Sequence, residues 1–349
     1  MPILRQEPLT GEWVIIATER ARRPETFAPP KKEKKEPLPA RVENCPFCIG
    51  NEHMTPPEVL AYRDKTSSPD TPGWQLRVIP NKFPALEQKN VQGGTAFDPA
   101  SKWNFLESFP GYGVHEVIIE TPDHNRHLAD LKNSELALVL RSFKERLIAL
   151  AKDQRLKYVQ IFRNHLREAG ASIEHPHFQL LAFPFIPPLL ETEYRRSKEY
   201  YEEEKRCLIC NILEKEKKIK ERIVLENDSF IAFIPFAAPL PFTTWIVPRE
   251  HASSLEVTKD GWEEELAPVL RGFLERISQK LGDPPYNLYL HLAPLQSDSL
   301  PYYHWHIEII PKLTIVAGLE MATGTFINVS KPEEAAQFLR KQEASVGNH

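Results

Sequence analysis

The strongest constraint on this chain is an order of motifs that occurs twice. In the first half, Cys45-x-x-Cys48, His124, an amphipathic segment, a strand-like segment and His175-x-His177 follow one another. In the second half, Cys207-x-x-Cys210, His251, an amphipathic segment, a strand-like segment and His304-x-His306 repeat that order. The two amphipathic segments are Glu135-Leu-Ala-Leu-Val-Leu-Arg-Ser-Phe-Lys-Glu-Arg146 and Glu265-Leu-Ala-Pro-Val-Leu-Arg-Gly-Phe-Leu-Glu-Arg276, identical at nine of twelve positions with an offset of 130. Shared amphipathicity explains Leu facing Leu. It does not explain coincident Arg, Phe, Glu and Arg. The chain therefore reads as an internal duplication. We place its repeats at 1–195 and 196–349, each an α+β unit built on a mostly antiparallel sheet.

Local patterns fill in the repeats. Strands are expected over Glu12–Thr18, Trp74–Pro80, Gly113–Thr121, Tyr158–Arg163 and Phe178–Phe185, and again over Arg222–Leu225, Phe230–Ile234, Thr243–Val247, Asn287–Leu292 and Trp305–Ile310. Helices are expected from Ser134, as N-cap, to about Gln154 and from Trp262 to about Leu281. The charged stretch from Glu191 to about Lys220 reads as an exposed helical connection.

Charge and cysteine usage narrow the function. With 44 Lys and Arg against 48 Asp and Glu, the net charge is −4, which argues against a general nucleic-acid binder. Any phosphate site must be built locally from a few cations and backbone amides. No run of about 18 apolar residues is present, so no membrane span is expected. The N-terminal residues lack the apolar core of a signal peptide, and we expect a cytoplasmic protein. All four cysteines lie in the two Cys-x-x-Cys pairs. In a reducing compartment such pairs are metal clips or redox centres more often than disulfides.

Two thiolates two residues apart can bite one metal, and zinc wants four Cys or His ligands. His124 and His175 are the candidates to complete Cys45 and Cys48. By the duplication, His251 and His304 would complete Cys207 and Cys210. In a strand, residues two apart share a face. His175, His177 and Gln179 would then project together from Gly170-Ala-Ser-Ile-Glu-His-Pro-His-Phe-Gln179. One imidazole can be tied to metal while its neighbour, with a reference pKa of roughly 6.5, is a competent nucleophile near neutral pH. The small residues before it let backbone amides approach phosphate oxygens. Arg20 and Arg23 suit phosphate contacts, although alone they read as a solvated loop.

Together these pieces resemble the histidine-triad superfamily, and within it the galactose-1-phosphate uridylyltransferase family. The resemblance spans nearly the whole chain. It implies a duplicated histidine-triad (HIT-like) fold, a homodimer, and double displacement through a nucleotidyl-histidine. It assigns the nucleophile to His177 and a phosphoryl-binding amide to Gln179. Cys45, Cys48, His124 and His175 match the zinc ligands of the family. Asn164, Gly170 and Ser172 match residues around the nucleotide phosphates, Arg20 and Arg23 match phosphate-binding arginines, and Asn81 with Phe83 matches part of the nucleoside pocket. Glu320 matches an acidic hexose-binding residue reached from the partner subunit. Thr314 and Leu319 stand where the family usually has Lys and Tyr. Phe178 replaces a usually small residue, on the strand face away from the chemistry.

Some members have a metal site of one glutamate and three histidines, with which Glu193, His291, His304 and His306 align. Relatives with a second Cys-x-x-Cys resemble an ADP-glucose phosphorylase branch. We favour Cys207, Cys210, His251 and His304 for the second site, holding zinc or iron. The leading reading is UMP transfer from UDP-glucose to galactose 1-phosphate. The alternatives are ADP-glucose phosphorolysis by inorganic phosphate, and a zinc-stapled nucleotide-binding module without turnover.

Overall fold

Alternation of side chains along the strands decides the layering. The computed structural model describes residues 1–20, 27, 38–88, 108–297 and 299–341. The first repeat contributes strands β1 (Ile3–Gln6), β2 (Trp13–Ile16), β3 (Leu60–Arg63), β4 (Trp74–Pro80) and β5 (Val114–Ile119), helix α1 (Asn133–Leu150), and strands β6 (Tyr158–His165) and β7 (His177–Phe183). Helices α2 (Pro188–Glu204) and α3 (Leu208–Ile219) follow. Then come β8 (Ile223–Glu226), β9 (Phe230–Phe233), β10 (Thr244–Pro248), α4 (Trp262–Leu281), β11 (Tyr286–His291) and β12 (His306–Pro311). The chain closes with α5 (Gly318–Thr323), β13 (Phe326–Asn328) and α6 (Pro332–Arg340).

Ten strands form one antiparallel sheet in the order β3-β4-β5-β7-β6-β11-β12-β10-β9-β8. Read outward from the β6–β11 seam, the two halves are copies: β7 answers to β12, β5 to β10, β4 to β9 and β3 to β8. The fold is thus α+β and duplicated, and both copies share one sheet. On one face Val78, Ile118, Phe178 and Leu180 pack with Leu140 and Phe143 of α1 and Leu266 and Leu270 of α4. Helices α1 and α4 lie side by side there. The rings of Phe178 and Phe143 meet edge-on at 4.9 Å, so Phe178 is spent on packing. The intervening residues point the other way. Ile79, Val117 and Ile119 pack there with Cys45, Phe47 and Cys48. In the second copy Ile231, Phe233 and Trp245 pack with Leu208, Ile209 and Leu213 of α3.

A second sheet ties the ends together. β1 pairs antiparallel with β2, and β2 pairs parallel with β13. Arg5 reinforces this ribbon through Glu333 of α6 at 3.0 Å and the Phe236 carbonyl at 2.8 Å.

Three sequence expectations need correction. Ser134 does not cap α1: the Glu135 carboxylate accepts the Lys132 N–H at 2.7 Å and fixes the start at Asn133. The 191–220 connection is two helices, and it is not simply exposed. Leu190, Glu193, Tyr194 and Ser197 of α2 and Leu208, Ile209, Leu213 and Glu216 of α3 are buried. Strand β7 starts at His177, so His175 sits just outside it. No helix of the described residues is long and apolar enough to cross a membrane.

Candidate active site

The site grows on the sheet face away from α1 and α4, at the start of β7. Cys45, Cys48, His124 and His175, all buried, bring one ligand atom each within 4.8 Å of the others. The Cys48 thiol lies 3.4 Å from His124 Nδ1 and 3.6 Å from His175 Nδ1, and Cys45 lies 3.8 Å from His175 Nδ1. Zinc–sulfur and zinc–nitrogen bonds of about 2.3 and 2.1 Å at a tetrahedral angle put S and N about 3.6 Å apart. The donor set and its spacing therefore fit a metal ion. His175 Nε2–H donates to the Thr121 carbonyl at 2.8 Å, which leaves its Nδ1 lone pair facing the thiols. Burial pushes the Cys45 thiol up to about 11, so a thiolate here needs a cation beside it.

His177 is anchored by that cluster. Its Nδ1–H donates to the His175 carbonyl at 2.8 Å, which leaves Nε2 with a free lone pair. Burial, with the Arg163 guanidinium assisting, lowers its pKa to about 4, so the ring is neutral at pH 7. Phe47, between the two cysteines, meets the His177 ring edge-on at 5.4 Å. His177 is only 8% exposed, yet it lines two adjoining clefts. One is about 770 Å³ and polar, with Arg163, Asn164, His165 and Ser172 in its wall. The other is about 300 Å³, with Phe47, Ile79, Asn81, Phe83 and Gln179.

Gln179 follows His177 on the same face. Its Oε1 accepts from His115 Nε2 at 2.9 Å. His115 Nδ1 accepts the Ala85 N–H at 3.1 Å, which fixes the tautomer with the proton on Nε2. The Gln179 carbonyl is thus engaged and its NH₂ remains to donate. The Asn81 amide nitrogen lies 3.1 Å from the same His115 nitrogen, and Asn81 Oδ1 accepts the Phe83 N–H at 2.9 Å. Phe83 is 83% exposed at the cleft mouth.

Asn164 on β6 is held from both sides. Its amide donates to the Gly170 carbonyl at 3.3 Å, and its Oδ1 accepts from Asn287 of β11 at 2.7 Å. Gly170 has φ +100°, and a Cβ there would come within 3.2 Å of the Asn164 amide. Glu320 lies elsewhere: its carboxylate accepts the Ala317 N–H at 3.0 Å on its own helix α5, and it lines neither cleft. Arg20 ends a short turn, Thr18–Arg20. Its side chain and all of Arg23 lie outside the described residues.

The second cysteine cluster holds Cys207, Cys210, His251 and His304. Cys207 caps α3, where the helix dipole favours a thiolate. Cys210 lies 3.5 Å from His251 Nδ1 and 3.4 Å from His304 Nδ1. Glu193, His291 and His306 form a separate buried group, with Glu193 2.9 Å from His291 Nδ1. The described residues therefore place His304 with the cysteines.

Sequence reasoning missed His115 and the buried Arg163–Glu120 pair, bonded at 2.6 Å. Arg163 also reaches Tyr286 Oη at 3.2 Å and lines the polar cleft. The available signal was an arginine in alternation with Val159 and Ile161 on β6.

Comparison with known proteins agrees with this geometry. The family model for the N-terminal domain of galactose-1-phosphate uridyl transferase matches residues 2–187, and that for its C-terminal domain matches residues 193–346. ADP-glucose phosphorylase of Arabidopsis thaliana is 35% identical over 97% of this chain and 93% of its own length. Galactose-1-phosphate uridylyltransferase of Thermotoga maritima is 32% identical over 98% of this chain and 99% of its own. A crystal structure of the Arabidopsis phosphorylase with bound ADP-glucose superposes with a TM-score of 0.80 at 33% identity, covering 99% of this chain and 100% of that one. A duplicated sheet, a histidine with an open Nε2 beside a buried Cys/His cluster and two family models spanning the sequence agree, and the chain belongs to the galactose-1-phosphate uridyl transferase family of nucleotidyltransferases.

Proposed function

We propose that the protein transfers a nucleoside monophosphate from a nucleoside-diphosphate glucose to a phosphate-bearing acceptor through His177. The observation that carries this is the bare Nε2 of His177 at the junction of two clefts, with Nδ1 tied to the His175 carbonyl. Nε2 attacks the α-phosphorus; the N–P bond forms as the P–O bond to hexose 1-phosphate breaks. The acceptor's phosphate oxygen then takes the nucleotidyl group and restores the lone pair. The base would occupy the smaller cleft beside Asn81 and Phe83. The phosphates and sugar would lie along Asn164, Gly170 and Ser172 in the larger one, with Arg20 and Arg23 as further phosphate contacts. Such transfers need positioning and charge neutralisation more than bond-making groups. The NH₂ of Gln179 is the donor for the transferred phosphoryl group. Cys45, Cys48, His124 and His175 would hold zinc, which braces the His175 carbonyl. Cys207, Cys210, His251 and His304 would hold a second zinc or iron.

The family models and the Thermotoga relative support UDP-glucose with galactose 1-phosphate as donor and acceptor. The Arabidopsis relative supports a second reading, ADP-glucose with inorganic phosphate. Thr314 and Leu319, where the family has Lys and Tyr, favour an acceptor with less sugar recognition. In either reading the protein works as a cytoplasmic homodimer, with repeat 1–195 doing the chemistry, repeat 196–349 bracing it, and Glu320 serving the cleft of a second copy. Each nucleotide sugar, labelled in the nucleoside and its α-phosphate, is offered with each acceptor. Label on the protein and release of hexose 1-phosphate are expected for one donor, and equal labelling of His177→Ala would overturn the mechanism.

A further inference from the structure

A second cleft, mostly apolar, lies apart from His177. It occupies about 710 Å³ between α2, α3 and the end of β9. Its walls are the second copy of the nucleoside cleft. In the first repeat the cleft uses Ile79 of β4 and Val117 of β5, which are paired residues, with Gln179 next in register on β7. In the second repeat it uses Phe233 of β9 and Trp245 of β10, which are also paired, with Glu308 next in register on β12. Leu208, between Cys207 and Cys210, lines it as Pro46 and Phe47 line the first. Pro235 and Phe236 follow β9 as Asn81 and Phe83 follow β4.

One replacement changes the chemistry. Where the first repeat has Val117, the second has Trp245. Its indole lies 4.9 Å from the ring of His306, the counterpart of His177. His306 is buried and lines no part of this cleft. A molecule in the cleft therefore meets no nucleophile.

The cleft has groups for a ligand all the same. Phe236, 46% exposed, offers aromatic surface above the buried Phe233 and Trp245. Arg196 and Lys215 line the cleft, opposed by Glu199 and Glu203, so a single phosphate is tolerated better than a diphosphate.

The geometry points to a second, non-catalytic site in this cleft that binds a nucleoside or nucleoside monophosphate, with its base against Phe236. Its ligand class rests on the reading of the His177 clefts as a nucleotide site. Equilibrium dialysis of the full-length holoenzyme with labelled AMP and UMP tests it. The expected result is two sites per chain for one of the two nucleotides. Ile212→Trp, which fills the cleft, should leave one site and normal labelling of His177. Phe236→Ala should weaken the same site about 10-fold, as loss of a base–aromatic stack does. Ser172→Trp should remove only the other site. One site in the parent, lost in Ser172→Trp and untouched by Ile212→Trp and Phe236→Ala, would overturn the proposal while sparing the catalytic reading. A site sensitive to Ile212→Trp alone would sustain the proposal and count against the catalytic reading. No binding at all would overturn both.

Discussion

An imidazole can attack phosphorus only through a nitrogen whose lone pair is free, and the His175 carbonyl decides which nitrogen of His177 that is. Removing the ring in His177→Ala should cut nucleotidyl transfer by roughly 10⁴-fold or more and abolish label on the protein. Gln179→Ala should cost about 10²–10³-fold in kcat, the usual effect of losing one donor to a developing anion. His115→Phe leaves Gln179 present but unheld. A smaller fall, on the order of 10-fold, is expected in kcat with KM little changed; steady-state kinetics on the three variants checks the ranking. That His177 and Gln179 share one cleft was legible, because residues two apart in a strand share a face. His115 was not. What gives it a role is an N–H from Ala85, thirty residues away, and no local pattern announces that bond.

Between elements, buried charge replaces apolar contact where β5 and β6 approach the cleft. Arg163 and Glu120 are both buried, and each depends on the other. Arg163→Met should destabilise by about 3–5 kcal/mol, because an unpaired carboxylate is left inside. Arg163→Met combined with Glu120→Leu should recover much of that loss in urea denaturation. In the β1–β2 turn, Glu7 is raised to about 7 by burial, so its protonated form suits the folded state. The unfolded carboxyl titrates near 4.5. The contribution, up to about 3 kcal/mol, is complete below that pH and is lost as pH rises through about 7. Glu7→Gln should therefore gain on the parent in melting temperature as pH climbs from 5 to 8; a constant difference would refute the assignment. Legibility was uneven at this scale too. Helix α4, expected from Trp262 to about Leu281, has those bounds in the structure, where Gly261 and Gly282, both with positive φ, bracket it. The four-residue strands β1 and β3 and the short α5 and β13 were missed, since each is fixed by partners distant in sequence.

At the scale of the molecule, two copies of one design each carry a Cys/His cluster, and among the described residues only the first adjoins the His177 clefts. Full-length protein should contain two metal ions per chain. Cys45→Ser should lose one ion and, by loosening the His175 carbonyl, lower transfer by about 10–100-fold. Cys207→Ser should lose one ion, lower the melting temperature and keep labelling of His177. Metal analysis with thermal melts and labelling on the same samples separates the two. The duplication itself was legible from motif order. Its fusion into a single sheet was not, because the β6–β11 seam joins residues more than a hundred positions apart.

The parallel pairing of β2 with β13 means that the first sixteen residues serve the repeat at the far end of the chain. Cutting the polypeptide between the copies would strand those residues on the wrong fragment. Either copy made alone would lack a strand that the other supplies.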